Sequence, residues 1–293
     1  MSQTQTLKGQ GKALAYIQLM RLDRPIGTVI LLWNSLWGLW LAGRGQPEAD
    51  LVWVFCLGTL LTRSLGCVIN DIADRHFDGH VERTCQRPLA RGALSLYEAL
   101  ACALVLTLLC AVLVFGFLNR LSGYFSYFCL AVLTIYPFCK RFVKIPQLVL
   151  GIAFASPIVM ADLALNHQLS WALVFLYLAN ALWALVYDTF YALVDRADDE
   201  KIGIHSSAIF ARGFEVRFLS TVAGLMVLML VLAGVCAQLG GYYYLGIGVA
   251  SALLAYEIYR VRDGERDVCW AMFMHSHWVG ASIWGGLVLE FLP

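Results

Sequence analysis

LVWVFCLGTLLTRSLGCVINDIADRHFD, residues 51–78, decides the class of this protein. Its first twenty residues carry one charge, Arg63. A bilayer core about 30 Å thick takes about 20 residues of helix, so this run is long enough to cross. Its last nine residues, Asn70 to Asp78, hold three aspartates and an asparagine. A membrane helix therefore runs straight into a carboxylate cluster, where carboxylates are costly unless they have a task.

Outward from this stretch the apolar texture recurs. Nine runs are read, at about 26–43, 51–70, 97–118, 122–138, 146–165, 170–188, 218–238, 241–258 and 270–290. Of 293 residues, 60% are hydrophobic and 14% charged, with mean hydropathy +0.71. A soluble globular protein carries about 25% charged residues, so a soluble enzyme is excluded, as is a disordered chain. Long unbroken apolar runs exclude a β-barrel, whose strands alternate. Nine cysteines, several of them (Cys56, Cys102, Cys110, Cys129 among these) inside apolar runs, show no metal-type spacing and read as small hydrophobes. The first 20 residues lack the apolar core of a cleavable leader. The expected fold is all-α: one domain over 1–293, a membrane bundle of nine transmembrane helices around a central cavity.

Charge distribution orients the bundle. Eighteen of the 21 Lys and Arg residues fall in connections on one side; Arg44 and Arg120 fall on the other, and Arg63 within a run. The positive-inside rule puts the N-terminus and the basic connections in the cytoplasm and the C-terminus outside.

Two basic connections are long, about 71–96 and 189–217, four runs apart. Each opens on acids, NDIADRHFD and DTFYALVDRADDE, and Asp71/Asp74 and Asp195/Asp198 share a spacing. Two four-helix half-repeats, about 20–145 and 146–260, plus a ninth helix, would set the two clusters across one cavity. On a helix at 100° per residue, Asn70, Asp71, Asp74 and Asp78 lie within about 100° of one another, with Arg63 on the same face about 10 Å deeper. Asp188, Tyr191, Asp195 and Asp198 likewise share a stripe, with Asn180 deeper in the run.

Gathered carboxylates repel and lose hydration, so a cation is expected among them, and without it the loss of one aspartate should relax the protein. Ligands that are all oxygen suit Mg²⁺, which is held by one or two carboxylates plus substrate phosphates. The reading is a di-metal cradle for a diphosphate. Against it stands the plain role of acids as solvated helix ends, which accounts for one such motif better than for two matched ones. Arg83, Arg87, Lys140, Arg141 and Lys201 supply what a polyanionic leaving group needs, although cytoplasmic bases also orient spans.

At these residues the sequence resembles the UbiA superfamily of intramembrane aromatic prenyltransferases. The matching pieces are RLDRPIGTVILLWNSLWGLW (21–40), NDIADRHFDGHVERTCQRPLARG (70–92), YPFCKRF (136–142) and YDTFYALVDRADDEKIGIHSSA (187–208). RLDRPIG, YPFCKR and YDTFYALVDRADD are most similar to the branch whose acceptor is 4-hydroxybenzoate, in the ubiquinone pathway. One segment departs: MHSHWVG (274–280) stands where an asparagine-rich stretch is expected. The resemblance implies Mg²⁺-dependent transfer of a polyprenyl chain from polyprenyl diphosphate to 4-hydroxybenzoate, ortho to the hydroxyl, in a bacterial inner membrane. No nucleic-acid partner is implied. It implies Asn70, Asp71, Asp74, Asp78, Asp188, Asp195 and Asp198 as metal ligands. Asp71, Asp74, Asp195, Asp198 and Arg141 are the expected catalytic residues, and Arg83, Arg87, Lys140 and Lys201 hold diphosphate. For the acceptor carboxylate the candidates are Arg63, with a counter-ion role to the aspartates as the alternative, and, at the mouth, Arg21 and Arg24. Tyr191 is also expected at the acceptor, and Tyr191 and Tyr136 can face the allylic cation or simply pack. Another acceptor (naphthoate, homogentisate, a tetrapyrrole) or a transporter are the rival readings; the latter should keep acids near mid-membrane, where the runs show few.

Overall fold

A computed structural model describes residues 2–80 and 83–293. Val81 and Glu82, inside the quoted 70–92 string, lie outside it, as do the side chains of residues 2–10, Lys8 among them, and of His80. The chain runs α1 (Ser2–Leu19), α2 (Ile26–Ala42), α3 (Ala49–Asp74), α4 (Leu96–Phe117), α5 (Arg120–Cys139), α6 (Pro146–Asn166), α7 (Trp171–Ile202), α8 (Ser207–Phe210), α9 (Glu215–Ala237), α10 (Gly241–Arg260), α11 (Arg266–His275) and α12 (His277–Glu290). Short 3-10 turns cover Asp78–His80 and Val261–Asp263. No strand occurs among the described residues, as the apolar runs require.

Six of the described helices, α3 to α7 and α9, are long and apolar enough to cross a membrane; α2 is a shorter apolar helix. The run at 241–258 is α10, and the run at 270–290 is not one helix but two, α11 and α12, broken at Ser276. The helices begin at polar caps. Ser95 and Glu98 form a capping box on α4. The Asn119 carboxamide oxygen accepts from Ser122 N at 3.0 Å at the start of α5. Gly203, at φ +73°, ends α7 in the left-handed turn that favours glycine.

Burial separates the helices. α4 and α5 turn Leu104, Leu108, Val112, Phe115, Tyr124, Tyr127 and Ile135 outward, a surface suited to lipid and not to water. α7 is the central pillar, its Leu176, Trp183, Val186 and Phe190 fully buried against α2, α6, α9 and α11. Trp183 stacks on Trp37 of α2 at 5.1 Å, and Trp37 Nε1 donates to Gly280 O of α12 at 2.9 Å, which binds the last helix to the second. Asn180 is not part of a cavity stripe. It is fully buried and donates to Asn34 Oδ1 at 2.8 Å, while Asn34 donates to Phe154 O at 2.8 Å. The two amides knot α2, α6 and α7 because α7 packs directly on α2 at that depth.

At about 1.5 Å per residue the 32 residues of α7 reach about 48 Å, well beyond the hydrocarbon thickness.

Candidate functional site

A cavity of about 230 Å³ opens where α2, α3, α5, α6, α7 and α11 converge. α3 brings Arg63, Asn70, Asp71 and Asp74, and the turn after it brings Asp78. α7 brings Tyr187, Asp188, Tyr191, Asp195 and Asp199. Pro137 lacks an N–H, so the last turn of α5 is weakened, and the helix stops at Cys139. Tyr136, Lys140 and Arg141 at that end all line the cavity. His205 N donates to Lys140 O at 2.8 Å, which fastens the connection after α7 to the end of α5.

The acids are not bare. Asp71, fully buried, takes Arg21 Nη2 at 2.7 Å and Arg87 Nη1 at 3.2 Å. Arg87 also reaches both Asp78 oxygens at 2.9 Å. Lys140 Nζ stands 3.3 Å from Asp74 Oδ2 and 3.4 Å from Asn70 Oδ1. Arg83 Nε donates to the Asp195 oxygens at 2.9 and 3.1 Å, and its guanidinium lies over the Tyr191 ring at 4.3 Å. The expectation that these carboxylates repel until a metal arrives is thus corrected: basic side chains already neutralise them. Burial by itself would make Arg87 give up its proton more readily, yet Asp71 and Asp78 outweigh it and hold Arg87 more firmly charged than usual. Lys140 is held the same way, burial opposed by Asp74. Burial raises the Asp78 carboxyl above the ordinary aspartate range, with Arg87 opposing and Asp71 and Asp74 adding to the rise.

Of the expected ligands, Asn70, Asp71, Asp74, Asp78, Asp188 and Asp195 line one cavity. Asp198 does not: it faces Lys201 at 3.1 Å and Arg266 at 4.0 Å, while Asp199 lines the cavity instead. The periodicity held the answer. Asp188, Asp195 and Asp199 are spaced i, i+7, i+11 and fall within about 40° on a helix, whereas Asp198 swings about 80° away from Asp188. Lys201, three-quarters exposed, is likewise outside the cavity. Arg141 donates to Ala73 O at 2.9 Å and lies against Phe77 and Phe138, so it caps the end of α3 and touches no carboxylate among the described residues. Arg24 lies at the mouth, largely exposed, 3.9 Å from Asp23. Tyr191 belongs to an aromatic wall, 5.0 Å from Phe273 and 5.9 Å from Trp270 of α11.

Arg63 is the deepest cation of the cavity. Its guanidinium rests where Gly27 of α2 has no side chain; a Cβ there would stand 2.6 Å from Nη2. Among the described residues it has no ion pair or hydrogen bond. Asp188 is within electrostatic reach of both Arg63 and Lys140. Arg21, expected as a lesser candidate for the acceptor carboxylate, pairs with Asp71 instead. It sits in a left-handed turn at φ +57° after α1, a place with no sequence signal beyond its charge.

The donor set fits Mg²⁺ bridging to a phosphate better than a metal held by protein alone. No group of three His, Cys, Asp or Glu residues converges on one ion position among the described residues. The buried Asp71 Oδ2 has no hydrogen-bond partner and is open to a cation.

The chain matches a model of the UbiA prenyltransferase family over residues 31–280. It is 47% identical over 277 residues to a Nitrosospira multiformis protein named 4-hydroxybenzoate octaprenyltransferase, covering 94% of this chain and 95% of that one. A Pseudomonas aeruginosa protein of the same name is 44% identical over 280 residues, covering 96% and 94%. Among solved structures, a UbiA homolog from Aeropyrum pernix K1 superposes with TM-score 0.77 at 21% identity, covering 92% of this chain and 99% of that one. A UbiA homolog from Archaeoglobus fulgidus bound to DMAPP and Mg²⁺ gives 0.67 at 17%, covering 92% and 98%.

Proposed function

The chain belongs to the UbiA prenyltransferase family, and from that premise we propose that it transfers a polyprenyl group from polyprenyl diphosphate to 4-hydroxybenzoate, ortho to the hydroxyl. The observation that carries this reading is the cavity itself: two acidic motifs, over a hundred residues apart, meet there and are joined through Arg83 and Asp195. Near-full-length relatives named for this reaction support the acceptor.

Mg²⁺ is the proposed cofactor, and Asn70, Asp71, Asp74, Asp78, Asp188, Asp195 and Asp199 are the residues that would hold it with the diphosphate. Bound there, it would draw charge from the departing diphosphate. The side chains do the rest. Arg83, Arg87 and Lys140 turn from their aspartates to the phosphate oxygens, stabilising charge as the allylic C–O bond breaks. Tyr136 and Tyr191 face the delocalised cation. Arg63 receives the acceptor's carboxylate, because a cation in the cavity without an ion pair leaves room for an anionic substrate. The phenol ring then attacks the allylic carbon, and its ring proton passes to a cavity carboxylate or to the released diphosphate.

Nine membrane crossings, with α11 and α12 together forming the ninth, and the acidic motifs on the cytoplasmic face of a bacterial inner membrane complete the proposal. Support comes from the six described helices long and apolar enough to cross, the shorter apolar α2, and the one-sided Lys and Arg distribution. Two half-repeats, about 20–145 and 146–260, remain part of it.

The test is product analysis by mass spectrometry with purified protein, Mg²⁺ and a polyprenyl diphosphate, several aromatic acids competing. Prenylated 4-hydroxybenzoate as the main product is expected; preference for a naphthoate or homogentisate would overturn the acceptor.

A further inference from the structure

The polar residues of MHSHWVG (274–280) lie outside the cavity. They have a partner there. Glu257, in the last turn of α10, has no exposed surface. His275 Nδ1 stands 2.9 Å from its Oε1, and the buried Ser276 hydroxyl donates to its Oε2 at 3.2 Å. Both partners come from the break between α11 and α12, and neither from α10. A carboxylate hidden in a membrane bundle is tolerable only while it is hydrogen-bonded or paired. Any swing of α11 away from α10 would strip Glu257 of its partners, so the carboxylate holds α11 in place.

α11 has one job at the cavity. Its Trp270 and Phe273 line it and back the Tyr191 ring, and Phe273 lies 6.3 Å from Tyr187. The other face of the contact is Arg83, 4.3 Å over Tyr191 and bidentate on Asp195. A continuous set of contacts therefore runs from Glu257 through His275 and Ser276, along α11, through Phe273 and Tyr191, to the guanidinium that would receive the diphosphate.

We infer that Glu257 is a positioning residue for the diphosphate end of the site, acting through the α11 aromatic wall and the ring on which Arg83 rests. The inference rests on the diphosphate reading of the cavity proposed above. A second buried carboxylate supplies the control. Asp162 of α6, also fully buried, accepts from Asn166 Nδ2 and Ser170 N, both at 2.7 Å, and caps the α6–α7 connection without lining the cavity.

The experiment measures binding of Mg²⁺ with inorganic pyrophosphate to the full chain in lipid nanodiscs by calorimetry, beside the unfolding midpoint. Glu257→Leu is expected to weaken pyrophosphate binding by about tenfold or more, the scale seen when an outer partner of a ligating residue is lost. Glu257→Gln, which keeps a hydrogen-bonding head, should stay within about threefold of wild type. Asp162→Asn should lower the unfolding midpoint and leave pyrophosphate affinity unchanged. If Glu257→Leu gives too little folded protein, His275→Leu with Ser276→Ala removes the same partners from the other side and should weaken binding likewise. Wild-type affinity in a folded Glu257→Leu or in that double variant overturns the inference. Equal weakening by Asp162→Asn overturns it too, because general loosening would then explain the effect. A wild-type protein that binds pyrophosphate as expected yet prenylates no 4-hydroxybenzoate would sink the acceptor assignment and leave this inference standing.

Discussion

The two acidic motifs share composition and spacing but are built differently. The first begins in the last turns of α3 and runs out of the helix: Asp71 and Asp74 are helical, Asp78 sits in a 3-10 turn, and the chain then returns Arg83 and Arg87. It carries its own counter-ions within twenty residues. The second lies inside α7, which continues to Ile202, so Asp188, Asp195 and Asp199 are held on one rigid face. It has no base of its own in the cavity; Asp195 takes Arg83 from the first connection, and Lys140, from the end of α5, reaches acids of both motifs. One motif is a turn that can adjust, the other a fixed wall, and the bases that join them belong to the turn side and to α5.

Removing divalent metal should have the largest effect on this pairing. With EDTA, product formation should fall to background and return on addition of Mg²⁺; full turnover in metal-free buffer would show that the arginines alone suffice. Next come Asp71→Asn and Asp195→Asn, one from each motif, expected to lower kcat by about 10³-fold or more each, the scale of losing a principal charge-stabilising group. If only Asp71→Asn does so, the second motif is a scaffold and the comparison collapses to one working cluster.

Substrate recognition should divide along depth. Arg63→Met keeps the apolar stem and removes the charge that the structure leaves without an ion pair. KM for 4-hydroxybenzoate should rise about ten- to hundredfold, as for a lost charged contact, while KM for the prenyl diphosphate changes less than about threefold. A rise in the diphosphate KM alone would assign Arg63 to the acids instead.

Stability should separate buried from exposed pairs. Asp71→Ala takes from Arg21 its ion pair and leaves Arg87 with Asp78 alone, so the metal-free protein should unfold at lower temperature, breaking a buried pair costing about 3–5 kcal/mol. This reverses the expectation from like-charge repulsion. The smallest effect belongs to Lys201→Ala: the lysine is three-quarters exposed, and both turnover and unfolding midpoint should stay close to wild type, within about 1 kcal/mol. A large loss of activity there would return Asp198 and Lys201 to the site.

Local pattern made much of this molecule readable in advance. Apolar run length, the one-sided bases and the strings around Asn70 and Asp188 settle the all-helical membrane class and the family from sequence alone, because lipid imposes its demand on each segment separately. The meeting of the two motifs was also legible, since two acid-tipped helices have few other ways to shelter their charge. What only the tertiary structure decided is how far each helix is rotated and what it meets. Asn180 knotted to Asn34, Arg141 on a backbone carbonyl, Arg21 on Asp71 and Glu257 on His275 all depend on it. Those pairs lie from 18 to 146 residues apart in the chain, and their choice rests on the packing of helix against helix, where a rotation of one residue, about 100°, exchanges the side chain that faces the cavity for one that faces lipid or a neighbour.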